Sequence, residues 1–232
     1  IIKKINKATV QYYGRYGFDP IDIVPSSEKN PNKMFKDIIQ VSEKIDDKYL
    51  RKLVLNIFRK NKKKIMLQPA TVYLNHNYRS GLLEHILSMI KIAKKISNNY
   101  KLDTDLVISS ILLKEVGVIH ALDSEYKFKS TNKGNLLGSN IISRDIVRDE
   151  ISKIKNFPIG KARKIEHIII SCGGLKNDAL QKPAFPEALF INRISKLDAE
   201  INIMQNTLKD DKENENFTSI HNYFGRPLYK GE

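Results

Sequence analysis

The sequence has little cysteine and no long hydrophobic run, and both absences narrow the class of protein. Its one cysteine, Cys172, cannot form a disulfide within the chain and fits a reducing compartment. The longest apolar stretch, Leu106 to Leu113, is far shorter than the roughly 20 residues that cross a bilayer, and the first residues lack the apolar core of a secretory signal. We therefore expect a protein without a membrane partner, located in the cytoplasm, or in an organelle matrix if a leader is removed.

The chain also lacks a glycine-rich phosphate-binding loop, a dinucleotide-binding fingerprint and internal repeats. It does contain enough apolar sequence for a core, because 41% of the residues are hydrophobic, and this argues against global disorder. Apolar residues recur at helical spacing almost throughout, which predicts an all-α protein. We expect an extended lead-in or linker at 1–25, a helical domain at 26–208 and a short C-terminal tail at 209–232.

Basic residues exceed acidic ones by 40 to 26, for a formal net charge of +14. Such an excess attracts polyanions, although a lysine-rich composition arises without selection for binding when the genome is rich in AT. Residues 51–64 contain seven basic residues and no acid, which is typical of a face that contacts a phosphate backbone. These candidate nucleic-acid-binding residues are Arg51, Lys52, Arg59, Lys60, Lys62, Lys63 and Lys64. A solvated lysine-rich helix face is the alternative that stays open.

Several segments resemble, in the same order and at similar spacing, segments of one known family. They are YGFDPIDIVPSSEKNPNKM (Tyr16–Met34), HNYRSGLLEHILSM (His76–Met89), GNLLGSN (Gly134–Asn140), EHIIISCGG (Glu166–Gly174), INRISKLDAEINIM (Ile191–Met204) and FTSIHNYFGRPLYK (Phe217–Lys230). The set resembles the YhaM-type 3′-to-5′ exoribonucleases of the HD-domain superfamily. The resemblance implies an HD-domain helical bundle around a divalent-metal pocket, with helices at 26–66 preceding an HD core at 67–208.

The resemblance also implies a metal site made by histidines and aspartates, and most of those positions are changed in this chain. His85 stands at the position of the first family histidine; Lys114 and Glu115 replace the His-Asp pair, Ser139 replaces a histidine, Cys172 and Gly173 replace paired histidines, and Ser195 replaces an aspartate. Asp198 matches a second family aspartate that is not taken to be a ligand. One retained ligand is fewer than the three that even an open catalytic site needs. We expect Lys114 to form an ion pair with Glu115 or Asp198 in the vacated pocket.

From these substitutions we expect no metal, no other cofactor and no catalysis. The first hypothesis is therefore a pseudoenzyme that binds RNA or a ribonucleoprotein, as a binding or structural subunit of a larger assembly. Two alternatives remain open. One is an active metal-dependent 3′-to-5′ exoribonuclease or phosphodiesterase with atypical ligands, and the other is a protein-interaction scaffold that binds no nucleic acid.

Overall fold

A computed structural model describes residues 24–124, 127–173, 179–212 and 215–231. The helices are α1 (Pro31–Glu43), α2 (Lys48–Lys60), α3 (Lys62–Leu67), α4 (Gly81–Ile96), α5 (Thr104–Leu113), α6 (Val118–Ala121), α7 (Asn132–Ile151), α8 (Ile159–Ser171) and α9 (Pro186–Asp210), with a 3₁₀ turn at Ser97–Asn99. Within these ranges the strands β1 (Leu122–Asp123) and β2 (Lys129–Ser130) form one antiparallel pair. The predicted all-α helical bundle is confirmed.

Polar side chains at the helix starts explain where several helices begin. The Asn30 side chain accepts two backbone N–H bonds at the start of α1, and Pro31 occupies the first helical position, where its missing N–H has no partner to lose. Asp47 caps α2 in the same way, and the Asp103 carboxylate accepts a backbone N–H of α5. Replacing such a cap by alanine typically costs about 1 kcal/mol.

Helix α5 is the centre of the bundle. All residues from Leu106 to Leu113 are buried, so the helix has no solvent-facing side and must be covered all round. Helices α2, α4, α8 and α9 pack against it. Because Lys114 and Glu115 follow directly after the last turn of α5, the chain carries two charged side chains into the interior.

The turn after α5 approaches α7 closely. A Cβ atom at Gly117 would collide with the backbone of Ser139 and Ser143, so a glycine is needed there. Helix α7 itself is kinked at Gly138, whose φ of 73° and ψ of 156° are not helical and are readily adopted only by glycine. The kink and the close approach together place Ser139 opposite the end of α5.

The β1–β2 pair lies between α6 and α7. Helix α9 ends at Asp210, two residues beyond the predicted domain end at 208. Only Val24 and Pro25 of the lead-in at 1–25 are described, so the division into lead-in, domain and tail stays a prediction. In the described parts of the chain, no helix combines the length and apolarity that a bilayer-spanning segment needs.

Candidate functional site

All seven positions compared with the family's metal ligands line one cavity of about 430 Å³. They are His85, Lys114, Glu115, Ser139, Cys172, Gly173 and Ser195. They come from α4, the end of α5, the kink of α7, the end of α8 and α9. Residues far apart in the sequence therefore converge, and the fold retains a pocket at the place where the resemblance implies one.

His85 is the hub of a hydrogen-bond network at this cavity. Its ring is almost fully buried, with Nδ1 2.6 Å from Asp198 Oδ2 and Nε2 3.2 Å from Glu115 Oε1. Burial alone would lower the pKa of His85, but the carboxylates of Glu115 and Asp198 outweigh burial and raise it from 6.5 to about 8. At neutral pH the metal-free protein therefore holds His85 mainly as a cation between two anions.

Asp198 joins this network to a second buried histidine. Its Oδ2 atom lies 3.1 Å from His76 Nε2, and its Oδ1 atom accepts a hydrogen bond from the Ser88 hydroxyl. Burial would raise the pKa of Asp198, yet the hydrogen bonds from His76 and His85 hold it well below its usual range. On the far side of His76, its Nδ1 atom lies 3.0 Å from the Tyr78 hydroxyl.

Lys114 and Glu115 form the ion pair expected from the sequence, with Glu115 rather than Asp198 as the partner. The Lys114 side chain is only 3% exposed, so its ammonium belongs to the cavity wall and not to bulk solvent. Burial would raise the pKa of Glu115, but Lys114 and His85 lower it well below the usual range. The second carboxylate oxygen, Oε2, is buried and has no hydrogen-bond partner within the part of the chain that is described.

Three side chains could hold one metal ion. Ligand atoms of His76, His85 and Asp198 lie within 4.8 Å of one another, and all three residues are buried. Two imidazoles and a carboxylate form a common donor set for a divalent transition metal, and three protein ligands are the minimum for an open catalytic site. The unpartnered Glu115 Oε2 is a further oxygen donor beside His85. The donor set fits one cation; Lys114, Ser139 and Ser195 supply no ligands for a second.

Neither His76 nor Asp198 is predicted from the sequence to belong to this cluster. Asp198 lies three residues after Ser195 on α9, and that spacing puts both on one helix face, so the helix pattern could have indicated it. His76 precedes α4 in a turn and has a φ of 46°, for which no periodic signal exists. His167 accepts a hydrogen bond from the Ala184 backbone N–H, consistent with a structural role. Burial raises the pKa of the Cys172 thiol to about 11, which makes it a poor nucleophile.

The basic stretch at residues 51–64 lies outside the cavity, on α2 and α3. Three of its members have local partners: Arg51 donates to the Ile45 carbonyl, Arg59 pairs with Glu43, and the Lys62 ammonium lies 5.5 Å from the centre of the Phe35 ring. The exposed lysines of the stretch are Lys52, Lys60, Lys62, Lys63 and Lys64. Nucleic-acid binding by this stretch stays a prediction.

No family model matches the chain, and no solved structure matches it. Among curated proteins it is similar to the 3′-5′ exoribonuclease YhaM of Shouchella clausii (strain KSM-K16), with 27% identity over 212 residues. The match covers 90% of this chain but 66% of that protein, so the chain spans just under two thirds of its relative's length. The resemblance seen in the sequence is thereby confirmed. The expectation that the chain is not an enzyme is wrong on this finding, because the relative is an exoribonuclease.

Proposed function

Because the chain is related to the YhaM-type 3′-to-5′ exoribonucleases, we propose that it is a metal-dependent phosphodiesterase that acts on single-stranded RNA with an atypical set of ligands. The observation that carries the proposal is the convergence of His76, His85 and Asp198 beside the cavity. The chemistry requires a cation site next to a space that admits a phosphodiester, and this arrangement supplies both.

The cation would be held by His76, His85 and Asp198, with Glu115 close enough to assist. A divalent ion at such a site lowers the pKa of a bound water and neutralises charge on phosphate oxygens. Residues behind the ligands hold them in place: Ser88 donates to Asp198, and Tyr78 contacts His76. Such outer contacts orient ligands and typically contribute 10- to 100-fold to metal affinity or activity.

Helix α6 supports a route for the RNA strand between the basic stretch and the cavity. Val118 of α6 lines the cavity, while His120 on the same short helix is exposed. Burial and the charges of Lys64 and Lys133 lower the pKa of His120, so both lysines lie within electrostatic reach of it. We place the backbone of the bound RNA along Lys64 and Lys133, where contacts to phosphate need no base sequence.

A second candidate role is RNA binding as a subunit of a larger assembly in the cytoplasm. The exposed lysines of the basic stretch favour it, because their attraction for phosphate needs no metal. The two roles predict different dependence on the cation cluster. Binding alone would survive the loss of Asp198, whereas hydrolysis would not.

The deciding experiment follows cleavage of a 5′-labelled single-stranded RNA by metal-stripped protein to which Mn²⁺ is returned. We expect shortening from the 3′ end, and a rate at least ~100-fold lower in Asp198→Asn and His85→Ala variants. The matched controls are Asp149→Asn and His221→Ala, since both residues are exposed and lie outside the cavity. The proposal is refuted if the protein binds no divalent metal and the RNA stays intact with each divalent ion tried.

A further inference from the structure

Part of the cavity wall carries hydrogen-bond donors where a second cation would need ligands. Lys114 contributes an ammonium from the end of α5, Ser139 a hydroxyl from the kink of α7, and Ser195 a hydroxyl from α9. Lys196 lines the same cavity. An ammonium group has no lone pair with which to bind a metal, whereas ammonium and hydroxyl groups both donate hydrogen bonds to phosphate oxygens.

The two hydroxyls are free to bind a ligand. Neither Ser139 nor Ser195 uses its side chain in a hydrogen bond to any other residue within the described ranges. Both are half-buried, so they face the cavity without being open to bulk water on all sides. The Lys114 ammonium has three N–H donors, and its contact with Glu115 engages one carboxylate oxygen, which leaves donors for a second acceptor.

The charge of the wall favours an anion. Among the described residues that line the cavity, Glu115 is the one carboxylate, and the Lys114 ammonium lies against it. Glu115 also shares its charge with His85, at 3.2 Å. A second dication in this part of the cavity would be repelled by the buried Lys114 ammonium, whereas an oxyanion would be attracted to it.

We propose that Lys114, Ser139 and Ser195 form an oxyanion site that binds a phosphate group directly, without a bridging metal ion. The statement of which molecule carries this phosphate rests on the proposed function. The ligand is then either a phosphodiester of the RNA or the phosphate of a nucleoside 5′-monophosphate. Inorganic phosphate has the same chemistry and serves as the simplest probe.

The test measures binding of inorganic phosphate and of uridine 5′-monophosphate to the metal-stripped chain by calorimetry in EDTA at low salt. Removing both hydroxyls with Ser139→Ala and Ser195→Ala should weaken both affinities by about tenfold or more, since hydrogen bonds to charged groups are individually strong. Ser152→Ala, in an exposed turn at the end of α7, is the matched control. Lys114→Gln should abolish binding, with Lys91→Gln, at an exposed position of α4 outside the cavity, as its control.

Lys114→Gln leaves Glu115 without its ammonium partner and risks misfolding, so the serine pair decides if that variant does not fold. The inference is overturned if phosphate fails to bind without metal, or if it binds the serine variant as tightly as the parent chain. When inorganic phosphate itself binds the serine variant more weakly, whichever of uridine 5′-monophosphate and a short single-stranded RNA binds the parent chain more tightly identifies the source of the phosphate. Because no metal is present, binding here can succeed even if Mn²⁺-dependent hydrolysis fails, and the two proposals stay separable.

Discussion

The cavity and the basic stretch both contain several charged side chains, but the two sets differ in burial and in pairing. In the cavity Lys114, His85 and Asp198 are buried, and each has an oppositely charged neighbour within hydrogen-bonding distance. On α2 and α3 the lysines are exposed and of one sign. Buried charges are stabilised by specific partners, so each is sensitive to a single substitution. Exposed charges act as a sum that salt screens, so single substitutions there should have small effects.

The largest effect should follow from removing the carboxylate that joins the two histidines. Asp198→Ala takes away the acceptor shared by His76 and His85 and leaves buried donors without a partner. Breaking such a buried pair typically costs about 3–5 kcal/mol of unfolding free energy, which urea denaturation would measure. The exposed control Asp149→Ala should stay within about 0.5 kcal/mol. A loss below 1 kcal/mol for Asp198→Ala would show that the network contributes little to stability.

A smaller effect should appear in the pH dependence of the metal-free protein. The folded pKa of His85 is about 8 against 6.5 for a free imidazole. The part of the unfolding free energy that protonated His85 contributes is therefore complete below pH 6.5 and is lost as pH rises through 8. The lowered pKa values of Glu115 and Asp198 keep both ionised across this window. The shift corresponds to about 2 kcal/mol.

Urea denaturation from pH 6 to 9 in EDTA would measure how the unfolding free energy changes with pH, and the His85→Gln variant should lack this loss of stability. If the parent chain and the variant lost the same stability over this range, a group other than His85 would be responsible.

Features that depend on neighbouring residues could be predicted from the sequence. Asn30, Asp47 and Asp103 cap helices where the local pattern places them, and the apolar run of α5 indicates a buried helix. These features need no knowledge of which helices meet.

The cation cluster could not be predicted in the same way. His76, His85 and Asp198 come from a turn, from α4 and from α9, and their meeting depends on how α9 packs against α4. The position of the Ser139 hydroxyl in the cavity wall likewise depends on the kink at Gly138 and on the close packing at Gly117. Counting retained ligands position by position therefore found His85 and missed the two residues, His76 and Asp198, that complete the cluster.

For the basic stretch we expect an effect that changes with salt. Replacing Lys60, Lys63 and Lys64 together by glutamine should reduce the slope of log affinity against log salt for single-stranded RNA by about 2, at ~0.7 per lost phosphate contact. Between 50 and 200 mM salt, the affinity of the triple variant should therefore fall about 16-fold less than that of the parent chain. The exposed α4 set Lys91, Lys94 and Lys95, changed in the same way, is the control. Equal slopes for the two triple variants would mean that the basic stretch has no special role.

The smallest effect should come from the surface ion pair of Arg59 with Glu43. Their side chains are 60% and 51% exposed, and Nη2 lies 3.0 Å from Oε1, a separation between the 2.6 Å and 3.2 Å of the two His85 contacts in the cavity network. Solvent screening limits such pairs to about 0–1 kcal/mol, so Arg59→Gln should barely change the unfolding free energy in urea. The comparison with Asp198→Ala holds the pair distance similar and changes the burial. If Arg59→Gln cost as much as Asp198→Ala, burial would not be what makes the cavity charges sensitive, and the contrast between the two regions would lose its physical basis.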